Sequence, residues 1–218
     1  AKPPVLGAGY GLGPKGMKAY ALSMGVRMTD AQAEHAVYTF RDTYIEVVYF
    51  WNYIMERIKM LLTTGTPTIG KLISLHLTAD RQFMRIVLPS GRELSYYQPM
   101  WQQWITPMKD PAGRPVYRDS FTYMGQNRFT NRWERIAAHH GLVTENIVQA
   151  IARDVLAVWM LRADLAFFDI RFHVHDELGC LETHDRVEEL NALIKQPIPW
   201  AEGLLLDAEG YTAKRYKK

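Results

Sequence analysis

The sequence predicts an α+β chain: helices first, antiparallel strands in the middle, then a long helix followed by a strand hairpin. Three observations carry this reading. Between residues 29 and 62 apolar side chains recur at spacings of three and four, the helical period. Between residues 72 and 97 the period falls to two, as in strands with one buried face. From residue 145 the helical period returns, and it gives way to the alternating run Ile170-Arg171-Phe172-His173-Val174.

Composition sets the outer bounds. The 218 residues are 48% hydrophobic and 22% charged, enough apolar surface to offset the entropy of ordering the chain, so disorder as the main state is excluded. The length suits one or two domains. Lys and Arg number 26 against 23 Asp and Glu, a net charge of +3, too small by itself to argue for nucleic acid. No apolar run approaches the ~20 residues of a membrane span. Residues 1–16 are rich in Gly and Pro and do not read as a signal peptide. A lone cysteine, Cys180, excludes an internal disulfide framework and points to a reducing compartment.

The elements follow in order. Gly7, Gly9, Gly11 and Gly13 suggest a loop or a Gly-rich helix end; a phosphate cradle is the rarer meaning of such a run. Pro14 suits the first turn of a short helix over 15–24, which Gly25 closes. Thr29-Asp30-Ala31-Gln32 has capping-box spacing and opens two helices, or one bent helix, over 29–64. Ala33, Ala36, Val37 and Phe40, then Ile45, Val48, Trp51, Ile54, Met55, Ile58 and Leu62, mark its apolar face. The aromatic group Tyr44, Tyr49, Phe50, Trp51 and Tyr53 reads as core rather than as a base-stacking platform.

Pro89-Ser90-Gly91-Arg92 is a turn signal between two alternating runs, so a hairpin is expected there. Pro99, Pro107, Pro111, Gly113 and Pro115 make residues 98–130 read as a loop-rich insertion, with one short strand at 120–124. Thr144 is placed to cap a helix over 145–167, with Gln149, Arg153 and Asp154 on its polar face. His175-Asp176-Glu177 interrupts the strand that follows, and residues 178–181 return antiparallel. Residues 185–195 form a last amphipathic helix. The terminal Lys214, Arg215, Lys217 and Lys218 form a basic cluster that could add a phosphate contact.

The densest group of ligand-type side chains is His173, His175, Asp176 and Glu177. On a strand His173 and His175 share a face and could bind zinc, although further ligands would be needed. A hydrated polar tip is the plain alternative. A third reading is a hairpin-tip carboxylate that binds Mg²⁺, which prefers oxygen ligands and keeps several waters. Lys2 and Tyr10, eight residues apart, would face roughly the same way on a helix.

These residues resemble a known family. Lys2-x7-Tyr10-Gly11 is similar to the end of motif B of the family A (DNA polymerase I-like) DNA polymerases, R-x3-K-x7-Y-G. Val174-His175-Asp176-Glu177 is similar to their motif C. The stretch 145–154, with its Gln and Asp, resembles the helix before motif C. Leu88-Pro89-Ser90-Gly91-Arg92 and the stretch 199–216 resemble a phage and prophage branch of that family.

The resemblance implies a fingers portion over 1–71 and a palm portion over 72–218, together an incomplete polymerase domain. It implies a site in which Lys2 contacts the incoming triphosphate, and Leu6, Gly7 and Tyr10 line the nucleotide pocket. Gln149, Arg153 and His175 would meet the primer-template. Asp176 would ligate metal, and Glu177 would be a lesser active-site carboxylate. The implied activity is template-directed addition of deoxynucleotides to a primer 3′ end with two Mg²⁺ ions. The implied partners are primer-template DNA, deoxynucleoside triphosphates and an N-terminal part carrying motif A, in the cytoplasm of a bacterial host and with no membrane.

The sequence opens inside motif B, so the motif A Asp and the motif B Arg fall outside it. Without motif A the isolated chain is expected to be inactive; Ala1 would suit a natural processed start, and a fragment or the tail of a longer chain reads equally well. Two rival readings stand beside this one. The first is a non-catalytic primer-template-binding or assembly subunit of the same fold; the second is a zinc hydrolase using His173 and His175.

Overall fold

In the computed structural model, which describes residues 2–70 and 72–216 with the side chains of Lys2, Pro3, Pro4, Leu6 and Pro107 left aside, the chain divides into two compact units. The first comprises Ala1–Val87 and Glu93–Ile147, the second Leu88–Arg92 and Val148–Lys218.

The first unit opens with helices α1 (Lys2–Gly9), α2 (Pro14–Ser23), α3 (Asp30–Thr43) and α4 (Ile45–Thr64). Pro14 supplies the pre-set φ of a first helical turn. Thr29 accepts from the Gln32 amide while Gln32 caps the Thr29 amide in return, so the capping box forms as its spacing predicts. The expected long helix is two helices, broken at Tyr44, where φ −112° and ψ 58° leave the helical region. Ala8, Met17, Ala33, Val37 and Phe40 form one core cluster.

On α4 the buried face is Trp51, Ile54, Ile58 and Leu61. It packs against the sheet that follows, whose buried side chains include Leu75, Met84, Ile86, Tyr96 and Phe121. The aromatic group expected in the core is therefore split. Trp51 is buried, but Tyr44 and Tyr49 are exposed: the buried face runs through 51, 54, 58 and 61 and passes Tyr49 by, and Tyr44 sits at the break between the two helices.

Strands β1 (Ser74–Leu77), β2 (Phe83–Val87), β3 (Glu93–Lys109), β4 (Pro115–Gln126) and β5 (Trp133–Ala138) form a five-stranded antiparallel meander in sequence order. The expected hairpin across residues 88–92 is present, with Phe83 opposite Tyr97 and Val87 opposite Glu93. The loop-rich insertion expected over 98–130 is not found. Those residues hold most of the two longest strands of the chain. Their prolines sit where the ladder tolerates a missing N–H: Pro99 and Pro107 at register shifts, Pro111 in the turn, Pro115 at the first residue of β4.

Helix α5 (His140–Leu165) begins earlier than expected. Thr144 is not its cap but a buried residue within it, with its hydroxyl unpaired. The His139 ring performs the capping, accepting from the Gly141 amide at 3.1 Å through Nδ1.

In the second unit α5 is followed by β6 (Ile170–Val174), β7 (Glu177–Cys180), α6 (Val187–Ile194) and a 3₁₀ turn over Pro199–Ala201. Strands β6 and β7 make a separate two-stranded sheet, so the motif C-like hairpin is not a member of the larger sheet. Arg171, Phe172 and His173 are exposed, so the hairpin buries little on either face.

Asp154 was expected on the polar face of its helix, yet it is only 6% exposed. Its carboxylate accepts from the Ser90 hydroxyl at 2.5 Å and from Arg92 Nε at 2.6 Å, and Arg92 Nη2 donates to the Ala150 carbonyl at 2.9 Å. Among the described residues, no helix is long and apolar enough to cross a membrane.

Two measurements check these assignments. Asp154→Ala leaves the part-buried Arg92 without its counter-charge and should lower stability by about 2 kcal/mol, less than a fully buried pair because Arg92 is one-third exposed; urea unfolding at neutral pH reads this. Burial pushes the Tyr96 phenol up to about 12, outweighing the Asn146 hydrogen bond. With the folded value raised, the stability tied to the neutral phenol is complete below the unfolded value of about 10 and is lost as pH rises towards 12. The urea midpoint should therefore fall between about pH 10 and 12, and less steeply in Tyr96→Phe.

Candidate functional site

The residues singled out by sequence fall into both units, and each group is organised within its own. In the second unit the hairpin pairs Val174 with Glu177, leaving His175-Asp176 as a two-residue turn. Such a turn needs backbone in the left-handed region, and His175 supplies it with φ 52°. Asp176 is thereby carried to the exposed tip, where it makes no hydrogen bond or ion pair with the described residues.

Glu177 is held differently. Its Oε2 accepts from the Tyr216 hydroxyl at 2.5 Å. The Tyr216 ring packs edge-on against Phe172, with centroids 5.1 Å apart. That hydrogen bond to a carboxylate raises the Tyr216 phenol above its ordinary value. The two neighbouring carboxylates are thus unequal: one is open, and the other is shared with a phenol from the C-terminal stretch.

The base of the hairpin is braced by Arg186. It donates to the Ala166 and Phe167 carbonyls at 3.0 and 3.3 Å, just past α5. It also pairs with Glu182 and Glu189 and stacks on Phe168 at 3.8 Å. Glu182 Oε1 in turn accepts from the Asp169 amide at 3.0 Å. One guanidinium and one carboxylate therefore tie the chain entering β6 to the chain leaving β7. Cys180, near this base, is half-buried; burial first, then the Glu182 and Asp169 carboxylates, push its thiol up and keep it protonated. Gln149 and Arg153 lie four residues apart on an exposed stripe of α5. Asn146, one turn earlier and in the first unit, donates to the Tyr96 hydroxyl at 3.0 Å.

The first unit holds the motif B-like residues. The side chains of Lys2 and Leu6, expected to meet a nucleotide, lie outside the described residues. Gly7 is buried; a Cβ there would meet Leu12 at 2.9 Å and Met17 and Tyr20 at 3.1 Å, so it sets how closely α1 meets the segment after it. Tyr10 lies just beyond the last residue of α1 and is half-buried.

The Tyr10-Gly11 turn packs directly on the start of α5. A Cβ on Gly141 would lie 1.8 Å from the Tyr10 carbonyl oxygen, and one on Gly11 2.3 Å from the His140 ring. Gly11 also has φ +80°, which L side chains rarely adopt. The His140 ring stacks on Trp51 with centroids 4.9 Å apart. Burial lowers both His139 and His140 below their ordinary value, and for His140 the neighbouring His139 and Arg41 add to this. Both rings are therefore neutral at pH 7, as the capping role of His139 requires. Sequence reading missed this pair, because histidine is not a usual cap.

Mg²⁺ is bound through hard oxygen ligands, often one or two carboxylates with water. Asp176, exposed and unengaged, fits one such ligand. Among the described residues no group of three or more His, Cys, Asp or Glu is placed to hold a metal ion, so His173 and His175 have no further protein ligand there for zinc.

The chain is similar to a DNA polymerase of Bacillus phage SP02, with 29% identity over 212 residues. The match takes in 95% of this chain and 31% of that protein, so the chain spans about a third of the curated relative it matches. No family model matches the chain, and no solved structure matches it.

The close approach at Gly141 is directly testable. Gly141→Ala forces the Tyr10-Gly11 turn off α5 and should cost about 3 kcal/mol, at the upper end for overpacking because the obstructing atom is backbone. The expected readouts are a lower urea midpoint and loss of the Trp51 environment in the fluorescence spectrum.

Proposed function

We propose that this chain forms the C-terminal half of the active site of a template-directed DNA polymerase of family A type. The observation that carries the reading is the match along 95% of the chain to a phage DNA polymerase. The hairpin that offers Asp176 at its tip supports it. Asp176 would be one ligand of the Mg²⁺ pair, and Glu177, steadied by Tyr216, a lesser carboxylate beside it. The second metal-binding carboxylate would come from a motif A part, such as the resemblance implies. When bound, the two ions would neutralise charge on the transferring phosphoryl group and favour attack by the primer hydroxyl.

The chain's own residues have simpler roles. Gln149 and Arg153 present a donor and a charge on one exposed stripe of α5, suited to a minor groove and a phosphate. Tyr10, fixed by its packing on Gly141, would offer a ring to the nucleotide, and Lys2 a charge to its triphosphate. Primer-template DNA and deoxynucleoside triphosphates are the partners in this reading.

The test is a chimera in which this chain replaces the matching third of the Bacillus phage SP02 DNA polymerase. It should extend a primer with Mg²⁺, and Asp176→Ala should reduce extension about a thousandfold, the effect of losing several kcal/mol of charge stabilisation. The isolated chain should not extend. Equal extension by Asp176→Ala and the parent chimera, or Mg²⁺-dependent extension by the chain alone, would overturn the proposal.

A further inference from the structure

The solvent-facing side of the five-stranded sheet carries an unusual set of side chains. Along β2, Met84 and Ile86 point into the core, while Phe83, Arg85 and Val87 lie on the opposite face. Tyr97 stands opposite Phe83 on that face, with ring centroids 5.1 Å apart. Trp133 of β5 lies 6.4 Å from Tyr97 and is 62% exposed. Three aromatic rings thus run in a row across the sheet. In a sheet with one face on the core, the other face is ordinarily polar; here it carries a half-buried Phe83–Tyr97 pair that ends in an exposed Trp133, an apolar patch that points to a ligand.

The surroundings of the row are basic. Residues 126–135 hold Arg128, Arg132 and Arg135 against one acid, Glu134. The Glu134 carboxylate is already held by Asn127 at 2.5 Å and Thr130 at 3.3 Å. Glu134 lies on the opposite face from Trp133, and the acid on the aromatic face, Glu93, has Arg85 and His76 at 3.8 and 3.7 Å.

The turn beyond Trp133 is built rather than loose. Asn127 Oδ1 accepts from the Phe129 and Thr130 amides at 2.8 and 3.3 Å, and Asn131 takes φ 55°. It presents Phe129, 96% exposed, between Arg128 and Arg132. A bulge follows Tyr97, where Gln98 has φ 45° and its carbonyl accepts from Arg135 at 3.0 Å. Bulges of this kind re-aim the side chains beside them.

We propose that this sheet face is a binding platform for single-stranded nucleic acid, with Tyr97 and Trp133 stacking bases, Phe83, itself covered by the Arg85 guanidinium at 4.9 Å, backing Tyr97, and Arg128 and Arg132 meeting the phosphates. Aromatic rings on a sheet with interleaved cations bind single strands because every base has a stackable face and every linkage a charge. Apolar rings alone would suit a protein partner equally; the cations with their acids already engaged favour a polyanion. Phe129 extends the row at the turn. The inference rests on the polymerase reading for the identity of the strand, a DNA template, and on geometry alone for the face that binds it.

The experiment uses the full 218-residue chain and a fluorescein-labelled oligothymidylate of about 15 nucleotides, within the span such sheets cover. Fluorescence anisotropy should show salt-dependent binding. Trp133→Ala should weaken it about tenfold. The double variant Arg128→Ala, Arg132→Ala should lower the slope against log salt by about 1.4, two phosphates on a single strand. Circular dichroism checks that each variant remains folded; Trp133, Arg128 and Arg132 are surface positions, so folding should persist.

Binding unchanged in both variants, or no binding by the parent chain, overturns the proposal. So does a change in oligomeric state with unchanged oligonucleotide binding, which would assign the face to a second copy. Asp176→Ala in the same chain should bind the oligonucleotide normally. If it does while the chimera extends primers regardless of Asp176, the polymerase reading fails and the platform stands. Extension that needs Asp176, with binding indifferent to Trp133, gives the reverse.

Discussion

The second unit depends on the guanidinium of Arg186. A helix end leaves carbonyls unpaired, and α5 ends in an abrupt turn where Phe167 takes φ 60°. Arg186 supplies donors to the Ala166 and Phe167 carbonyls while its face covers Phe168. Its partner Glu182 fixes the Asp169 amide. An isolated two-stranded hairpin is marginal in water, and β6 and β7 bury little of their own surface. The hairpin is therefore ordered from its ends: by Arg186 and Glu182 at the base, and by Tyr216 against Phe172 and Glu177 nearer the tip. A planar, permanently charged fork with several donors meets these demands together; a lysine would not.

The first unit obeys a constraint of a different kind, the absence of side-chain atoms. Gly141 and Gly11 let two backbone segments approach to a distance that a Cβ would forbid. The hydrophobic gain at this junction comes from Trp51, buried and stacked on His140. A ring with a polar edge is an odd partner for a core tryptophan. It is tolerated because burial keeps the imidazole neutral, so no charge has to be desolvated. Tyr10 is placed by this junction and not by α1, which has already ended.

Sequence legibility followed the range of the interactions. The Thr29 capping box, the α3 and α4 periodicity and the two hairpins at residues 88–92 and 175–176 are local, and each could be read from neighbouring residues. The long strands β3 and β4 were hidden by prolines that look like loop punctuation yet occupy bulges, a turn and a strand start. Asp154 sits on the polar side of α5 by helical period; what buries it is a turn some sixty residues earlier in the chain. Tyr216 reaches Glu177 from 39 residues away. No local pattern signals such pairings. The candidate tip was legible because a carboxylate in a two-residue turn is a local fact, whereas the residues that order it are distant ones.

The inequality of Asp176 and Glu177 follows from strand geometry. In a hairpin whose Val174 pairs with Glu177, residue 176 belongs to the turn and residue 177 to the ladder. The turn residue projects from the end of the sheet with both oxygens unengaged by the described residues. The ladder residue has its backbone fixed and its side chain beside a cross-strand neighbour, where a phenol can reach it. The phenol already donating to Glu177 takes one of its lone-pair directions and leaves fewer for any further partner. The two carboxylates thus differ in engagement without differing in chemical type, and the difference is set by which side of a single ladder rung each one occupies.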